Sequence, residues 1–188
     1  CGYTAWASNE AMAIIFAECA NDAFSGIALS YGSGMTNVAL SINTIEGLAF
    51  SVARGGDWID AGVASSLGST QARICAIKEA GVDLLNPQGR EQEALSFYYK
   101  ELIRYSFDEI AKRFKQLKGQ FELPQAIPLV ISGGTSTAGN FVELFKKEFK
   151  KREKRFPFKV SEIRHASDPM NAVANGMLTQ AILEQEED

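Results

Sequence analysis

The sequence has little of several features that would assign it to a simple class. Its 188 residues include three cysteines and one histidine, and its formal net charge is only −4. No apolar run approaches the roughly 20 residues needed to cross a bilayer, since the run from Ala11 to Ala17 stops at Glu18. The near balance of charge and the pI of about 5.2 give no general attraction to nucleic acid or to an anionic membrane. We therefore expect neither a nucleic-acid partner nor a membrane span.

The scarce cysteines and the lone histidine also argue against redox and metal chemistry. Cys1, Cys19 and Cys75 form no C-x-x-C pair. An odd, scattered set is typical of reduced thiols in a cytoplasmic protein, and not of a disulfide framework or a metal site. His165 has no serine or cysteine nucleophile pattern around it, so we expect a surface or structural role. The sequence thus assigns no catalytic residue and no metal ligand.

What the chain does contain is an ordinary globular composition with alternating helical and strand periodicities. Hydrophobic residues make up 46% and charged residues 22%, enough for one large domain with or without a subdomain. The periodicity predicts an α/β chain with helices at 8–22, 57–67, 70–80, 91–118, 138–155 and 169–184, and strands between 26 and 53, at 127–132 and at 158–163.

Glycine turns mark the ends of several predicted strands. Leu129–Gly139 contains an apolar strand that runs into Gly133, Gly134 and Thr135. Glycines accept positive φ and carry no Cβ, so a flat base and its first phosphate can lie against bare main chain. We expect the helix that follows to aim free N–H groups at the anion. A plain tight connection is the alternative interpretation of this pattern.

Two further glycine turns lie upstream. Two β-rich runs flank Gly32-Ser33-Gly34-Met35-Thr36, which predicts a hairpin whose tip exposes backbone amides and the hydroxyls of Ser33 and Thr36. Such a tip can surround the terminal phosphates of a nucleotide. A third run ends at Arg54, and Gly55-Gly56-Asp57 then opens a helix. Simple hairpin geometry is the favoured explanation of each turn when it is taken alone.

Taken in order, these turns carry a family resemblance. The Gly-Ser-Gly hairpin, Gly-Gly-Asp at a helix start, Ile-Ser-Gly-Gly-Thr and the stretch Asp168–Gly176 together resemble the second lobe of the actin, heat-shock chaperone and sugar-kinase ATPase superfamily. The chain looks most like the prokaryotic actin-like and chaperone-like branches. Ser8–Ala17 is similar to the helix that precedes the phosphate hairpin in those proteins, so the resemblance covers essentially the whole chain.

The resemblance implies a ribonuclease-H-like core interrupted by a helical subdomain. The core would comprise residues 1–56 and 126–188, and the subdomain residues 57–125. It also implies ATP as the ligand, with Mg²⁺ bound through the nucleotide. The expected partner is the first lobe of the same protein. Because the sequence starts at Cys1 and not at Met, we expect that lobe to lie outside this chain. Lys78 and Glu79 match a Lys-Glu pair that reaches the ribose or adenine, whereas Cys75 replaces a common sugar contact. The implied nucleotide-binding residues are Gly32, Ser33, Gly34, Met35, Thr36, Gly55, Gly56, Asp57, Lys78, Glu79, Gly133, Gly134 and Thr135.

The sequence departs from this family at positions that matter for hydrolysis. Relatives usually carry Asp two residues before the first hairpin glycine, where this chain has Ser30, and Asp or Glu where it has Asn37. A hydroxyl neither neutralises Mg²⁺ nor acts as a base near neutral pH. Three functions stay open: an actin-like or chaperone-like ATPase that polymerises or acts on a partner, a non-hydrolysing assembly scaffold, and a small-molecule kinase lobe.

Overall fold

A computed structural model describes residue 5, residues 7–116 and residues 126–186. In these ranges the helices and strands are α1 Glu10–Glu18, β1 Gly26–Tyr31, β2 Thr36–Ile42, β3 Ile45–Val52, α2 Gly56–Leu67, α3 Gln71–Glu79, α4 Gly89–Gln116, β4 Ala126–Ser132, α5 Phe141–Lys150, β5 Lys159–His165 and α6 Ala172–Glu186. Short 3₁₀ turns cover Ala20–Asp22, Gly134–Thr137 and Glu153–Arg155.

The strands form one mixed sheet of five strands in the order β3-β2-β1-β4-β5. The first three strands of the chain make an antiparallel meander, whereas β4 and β5 add in parallel on the other side of β1. Parallel neighbours need a crossover connection, and the chain supplies it with helices. The predicted α/β class with a mixed sheet and flanking helices is confirmed.

Strand alternation gives the sheet two different apolar faces. Ile27 and Leu29 of β1 lie in a large cluster with apolar side chains of α4 and α5. Ala28 of β1 and Val130 of β4 lie in a second cluster with α1 and α6. The small side chains on this second face let its helices pack close to the sheet.

The helices α1 and α6 approach each other at a glycine. A Cβ at Gly176 of α6 would lie 1.7 Å from the carbonyl oxygen of Ala13 in α1, so no side chain fits there. Ala172 and Gly176, four residues apart, lie on the same side of α6 and are buried, whereas Ala174 between them is exposed. The contact with α1 therefore uses the side of α6 that carries Ala172 and Gly176.

Three helices, α2, α3 and α4, fill the chain between β3 and β4 as far as the structure describes it. The long helix α4 buries Leu95, Tyr99, Leu102 and Phe107 at helical spacing, in the same apolar cluster as the strands. Arg104 of α4 also donates a 2.8 Å hydrogen bond to the fully buried carboxylate of Glu148 in α5. Apolar packing and this ion pair together hold α4 against α5.

Some predicted helix bounds are wrong for local reasons. The helix expected at 8–22 ends at Glu18, and a 3₁₀ turn follows before Ala23 and Phe24 take positive φ. The helix expected at 138–155 begins only at Phe141, because Asn140 has a left-handed φ of 61°, and it ends at Lys150. Positive φ cannot be accommodated inside a right-handed helix. The last helix begins at Ala172, because Asp168 first caps a turn through the N–H groups of Met170 and Asn171.

Candidate functional site

The β1–β2 turn and the start of α2 are bonded to each other. Gly32 N–H donates to the carbonyl of Met35 and closes the turn at 3.0 Å. The N–H groups of Gly56 and Asp57 donate to the carbonyls of Gly32 and Ser33 at 3.0 and 2.8 Å. A Cβ at Gly55 would lie within 2.5 Å of both carbonyl oxygens, so this contact requires glycine. The first N–H groups of α2 thus position the turn.

The sequence predicted an exposed hydroxyl at Thr36, and this prediction is wrong. Thr36 is fully buried and its Oγ1 donates a 2.8 Å hydrogen bond to the carbonyl of Arg54. The reason is strand pairing, because Thr36 is the first residue of β2 and faces the end of β3 at Val52. Ser33, Gly34 and Met35 at the tip are exposed, as expected.

The paired glycines after β4 have different roles. Gly133 has a φ of +92°, and a Cβ there would lie 2.4 Å from the carbonyl oxygen of Tyr31. This glycine therefore permits the close approach of the chain after β4 to β1. Gly134 is exposed, and a Cβ there would meet the side chain of Met170, whose sulfur would lie 3.5 Å away. The expected helix does not follow directly, because residues Gly134–Thr137 form a 3₁₀ turn. Of this pair, only Gly134 lines the cleft with bare backbone.

The three glycine segments meet around one cleft. Thr135 Oγ1 donates a 2.8 Å hydrogen bond to the carbonyl of Gly32 and so ties the loop after β4 to the β1–β2 turn. The cleft has a volume of about 570 Å³. Its lining includes seven residues predicted from sequence: Ser33, Gly56, Asp57, Lys78, Glu79, Gly134 and Thr135. Six other predicted residues lie outside this lining: Gly32, Gly34, Met35, Thr36, Gly55 and Gly133.

The floor of the cleft carries an ion pair that the sequence interpretation missed in part. Lys78 Nζ lies 2.6 Å from Oδ2 of Asp60, and their side chains are 16% and 6% exposed. Asp60 follows Asp57 by one helical turn, and that spacing was the available signal for it. Cys75 and Tyr99 also line the cleft. Burial raises the pKa of the Tyr99 hydroxyl, and the nearby Asp60 carboxylate raises it further, so this group is neutral at physiological pH.

A carboxylate also lies beside Ser30, although Ser30 itself cannot supply one. Glu10, in the first turn of α1, accepts hydrogen bonds from Nδ2 of Asn37 at 2.8 Å and from Oγ of Ser30 at 3.3 Å. Asn37 Oδ1 in turn accepts from Ser51 at 2.6 Å. Sequence reasoning examined the strand positions and missed Glu10. The signal for it was an acidic residue at the start of the helix that precedes the hairpin.

One rim of the cleft is fixed by Asp83, in the loop after α3. Its carboxylate accepts from Asn140 Nδ2 at 2.7 Å and from the N–H of Leu85 at 2.9 Å. These hydrogen bonds lower the pKa of Asp83 to about 2. The loop thereby stays joined to the segment before α5, where Gly139 lines the cleft.

His165 has a structural contact of the kind the sequence predicted. Its Nε2 lies 2.9 Å from Oγ of the buried Ser136, and burial lowers the pKa of the imidazole. Within the described ranges, no group of three or more His, Cys, Asp and Glu side chains could hold a metal ion. Among the helices of the same ranges, none has the length and apolarity to span a bilayer. Cys19 and Cys75 are free thiols, and Cys1 lies outside the described residues.

Comparison with protein-family models gives a match to Volactin over residues 1–181. The chain belongs to the Volactin family. No curated protein sequence matches this chain.

Similar folds are found among solved structures of actin-like proteins. Ethanolamine utilization protein EutJ from Carboxydothermus hydrogenoformans matches with a TM-score of 0.61 and 18% identity, over 89% of this chain and 53% of EutJ. The MamK double helical filament matches with a TM-score of 0.72 and 15% identity, over 92% of this chain and 58% of MamK. A non-polymerising MamK mutant bound to AMPPNP matches with a TM-score of 0.66.

These matches confirm the resemblance found in the sequence. The Volactin-family chain has the fold of the second lobe of the actin-like ATPases, and it spans little more than half the length of EutJ and MamK. At these identities the likeness concerns the fold and not the chemistry of the cleft.

Proposed function

We propose that this chain is the nucleotide-binding lobe of a two-lobe actin-like ATPase, and that its cleft binds ATP. The observation that carries the proposal is the convergence of separate glycine segments on one cleft, where the bond from Thr135 to Gly32 holds two of the segments together. A volume of about 570 Å³ is within the usual range for small-molecule sites. Core residues 1–56 and 126–188 and the helical segment 57–125 would each contribute one wall.

The lining supplies complementary groups for the parts of a nucleotide. Exposed Gly134 offers bare backbone to a flat base, and Met170 is the side chain that lies near it. Lys78 and Glu79 lie where a sugar would follow the base. Ser33 at the exposed tip is polar and close to the start of α2, where a phosphate chain would end. Mg²⁺ prefers oxygen ligands and usually keeps phosphates and waters, so Asp57 and Glu10 fit its surroundings.

Glu10 favours an ATPase over a non-hydrolysing scaffold. The doubt about hydrolysis came from Ser30, but the Glu10 carboxylate accepts hydrogen bonds from both Ser30 and Asn37. These donors fix its orientation, as is required of a group that positions an attacking water. We assign this role to Glu10, with the remaining half of the phosphate site supplied by a first lobe of the same protein. The MamK filament supports self-association as the outcome that the nucleotide controls.

Calorimetric titration of the full-length protein with Mg-ATP tests the binding site. We expect micromolar affinity, and a loss of about tenfold or more in Lys78→Ala, because a hydrogen bond to a charged group contributes about 1.5–3 kcal/mol. Lys112→Ala is the matched control, since Lys112 is exposed on α4 with only a 3.8 Å pair to Glu109. Absence of binding by either ATP or GTP at millimolar concentration would contradict the proposal.

A further inference from the structure

A basic segment runs from the outer side of α5 to the start of β5. Residues 146–159 carry eight lysines and arginines but only two glutamates, so their net charge is +6. The whole chain has a net charge of −4, and the other residues therefore carry −10. This separation of charge makes one surface of an acidic chain attractive to anionic groups.

Most of these cations lie on the surface of the structure. The phenylalanine side chains of α5 are buried, and the opposite side of the helix carries the lysines. Glu148 pairs with Lys151 and Arg152, and Asp108 pairs with Arg155. Four exposed lysines form no ion pair within the described ranges, and we call them the basic face: Lys147, Lys150, Lys154 and Lys159.

The surroundings of the basic face limit the class of its partner. In the described part of the chain, no large apolar side chain between residues 146 and 159 is exposed. Stable attachment to a membrane takes an inserted apolar group in addition to basic residues, and single-stranded nucleic acid is held by stacking on exposed aromatic rings. The attraction here is one of charge, which suits an acidic protein segment.

The chain itself contains a segment of that chemistry. Residues 184–188 hold four carboxylates, more than any other five-residue stretch of the sequence, and Glu184 of α6 is exposed. α6 packs with α1 on one face of the sheet, whereas α5 packs on the other. Each helix is about 10–12 Å across, but five extended residues reach at most about 18 Å. Residues 184–188 are therefore too short to pass two helices and the sheet to the basic face of their own chain.

We infer that the basic face is the docking surface for residues 184–188 of a second copy of this chain. The two surfaces differ, so each copy keeps one of them free for the next copy, and the contact propagates as an open assembly. The inference rests on the self-association named in the proposed function, because it supplies the surfaces that join. Exposed charges are screened by salt, so the assembly is salt-sensitive.

The test measures the critical concentration for assembly of the full-length protein with Mg-ATP, by sedimentation. Charge reversal of the basic face by Lys147→Glu, Lys150→Glu and Lys154→Glu should raise it about tenfold or more. Charge reversal of the acidic segment by Glu184→Lys, Glu186→Lys and Glu187→Lys should have the same effect. A chain with both sets of substitutions has complementary surfaces again, so its critical concentration should return to within about threefold of wild type.

A variant with arginine at the same three lysine positions is the matched control. Lys147→Arg, Lys150→Arg and Lys154→Arg keep the charge, so assembly should equal that of the wild type. The affinity for Mg-ATP should stay within about twofold in every variant. Lys159 of the basic face pairs with Ala126 at the start of β4, whereas the cleft lies beyond the end of β4.

Wild-type assembly by either charge-reversed variant, or no assembly by the chain with both sets, would overturn the inference. A wild type that stays monomeric also overturns it. If the lysine-reversed variant does not fold, the glutamate-reversed variant alone decides in the same way. Vesicles of anionic phospholipid test the other class of partner, because attachment that needs the three lysines, without any effect on assembly, identifies a membrane surface instead.

Nucleotide binding is measured on the same samples and separates the two proposals. Failed assembly with normal Mg-ATP affinity overturns this inference alone. Failure of the wild type to bind nucleotide would instead overturn the proposed function.

Discussion

Glu10 and Asn37 are joined by a hydrogen bond of 2.8 Å from Asn37 Nδ2 to the Glu10 carboxylate, across 27 positions of sequence. Asn37 is held in turn by Ser51 of the neighbouring strand, and Ser30 donates to the same Glu10 oxygen. One carboxylate is thus fixed by side chains from both β1 and β2. A carboxylate therefore lies beside Ser30, the position whose hydroxyl had put hydrolysis in doubt.

Glu10→Gln should separate hydrolysis from binding. The amide keeps the shape of the side chain but cannot act as a base, so we expect ATP turnover to fall about 100-fold or more. Nucleotide affinity should change less than about threefold, because the group acts in the transition state. Steady-state phosphate release and calorimetric titration of the full-length protein measure the two effects.

Glu93→Gln serves as the control for this substitution. Glu93 is exposed on α4, away from the cleft, so neither turnover nor affinity should change. Equal turnover in wild type and Glu10→Gln would remove Glu10 from the mechanism and restore the scaffold alternative.

Gly134→Val should block the nucleotide without unfolding the protein. Its side chain would project into the cleft and meet only Met170, so the melting temperature should stay within about 3 °C while Mg-ATP affinity falls at least about 30-fold. Thermal melts without ligand and titrations with Mg-ATP give the two measurements.

Gly133→Ala, one residue earlier, should lower the stability of the fold. The φ of +92° and the 2.4 Å approach to Tyr31 predict a loss of about 2 kcal/mol or more in the free energy of unfolding.

If Gly134→Val binds nucleotide normally, the glycine pair is only a turn.

Gly176→Ala should destabilise the chain although alanine is the better helix former. In an open helix this change stabilises by about 1 kcal/mol, but here the new Cβ would lie 1.7 Å from the carbonyl oxygen of Ala13. We expect a net loss of about 2 kcal/mol, measured by urea denaturation. Asn175→Ala, at the exposed neighbouring position, should be neutral or stabilising. A stabilised Gly176→Ala variant would show that α1 and α6 are less close than described.

Glu148→Gln should lower stability at neutral pH and flatten its acid dependence. Burial alone would raise the pKa of Glu148, but hydrogen bonds from Arg104 and Lys151 outweigh it and lower that pKa to about 2. A depressed carboxyl pKa contributes stability that is present above the unfolded value and lost as pH falls through the folded one. The wild type should therefore lose stability between about pH 4.5 and 2 through this group.

Urea denaturation at pH 7, 4 and 3 checks the Glu148 prediction. At pH 7 the variant should be about 2 kcal/mol less stable, and the difference should shrink as the pH falls. Glu143→Gln on the same helix is the control, because its pair with Lys146 at 3.4 Å is exposed and should contribute less than about 0.5 kcal/mol. A constant difference at every pH would mean that Glu148 titrates normally.

Much of the fold could be predicted from periodicity, whereas side-chain partners could not. The alternation of Ile27, Ala28 and Leu29 predicts a strand with two faces, and the structure places those faces in two different clusters. The position of Asn140 gave no such signal. Its side chain donates to Asp83, which is 57 residues away, and its left-handed φ sets the start of α5.

The sequence by itself determined the α/β class, the places of the glycine turns and the family resemblance, because these depend on backbone preference and on local apolar spacing. Tertiary structure alone decided that the Thr36 hydroxyl is buried, that Glu10 reaches Ser30, and that Asp60 holds Lys78. Each of these contacts joins residues at least 18 positions apart. Strand register and helix packing set such distances, and no local pattern in the chain encodes them.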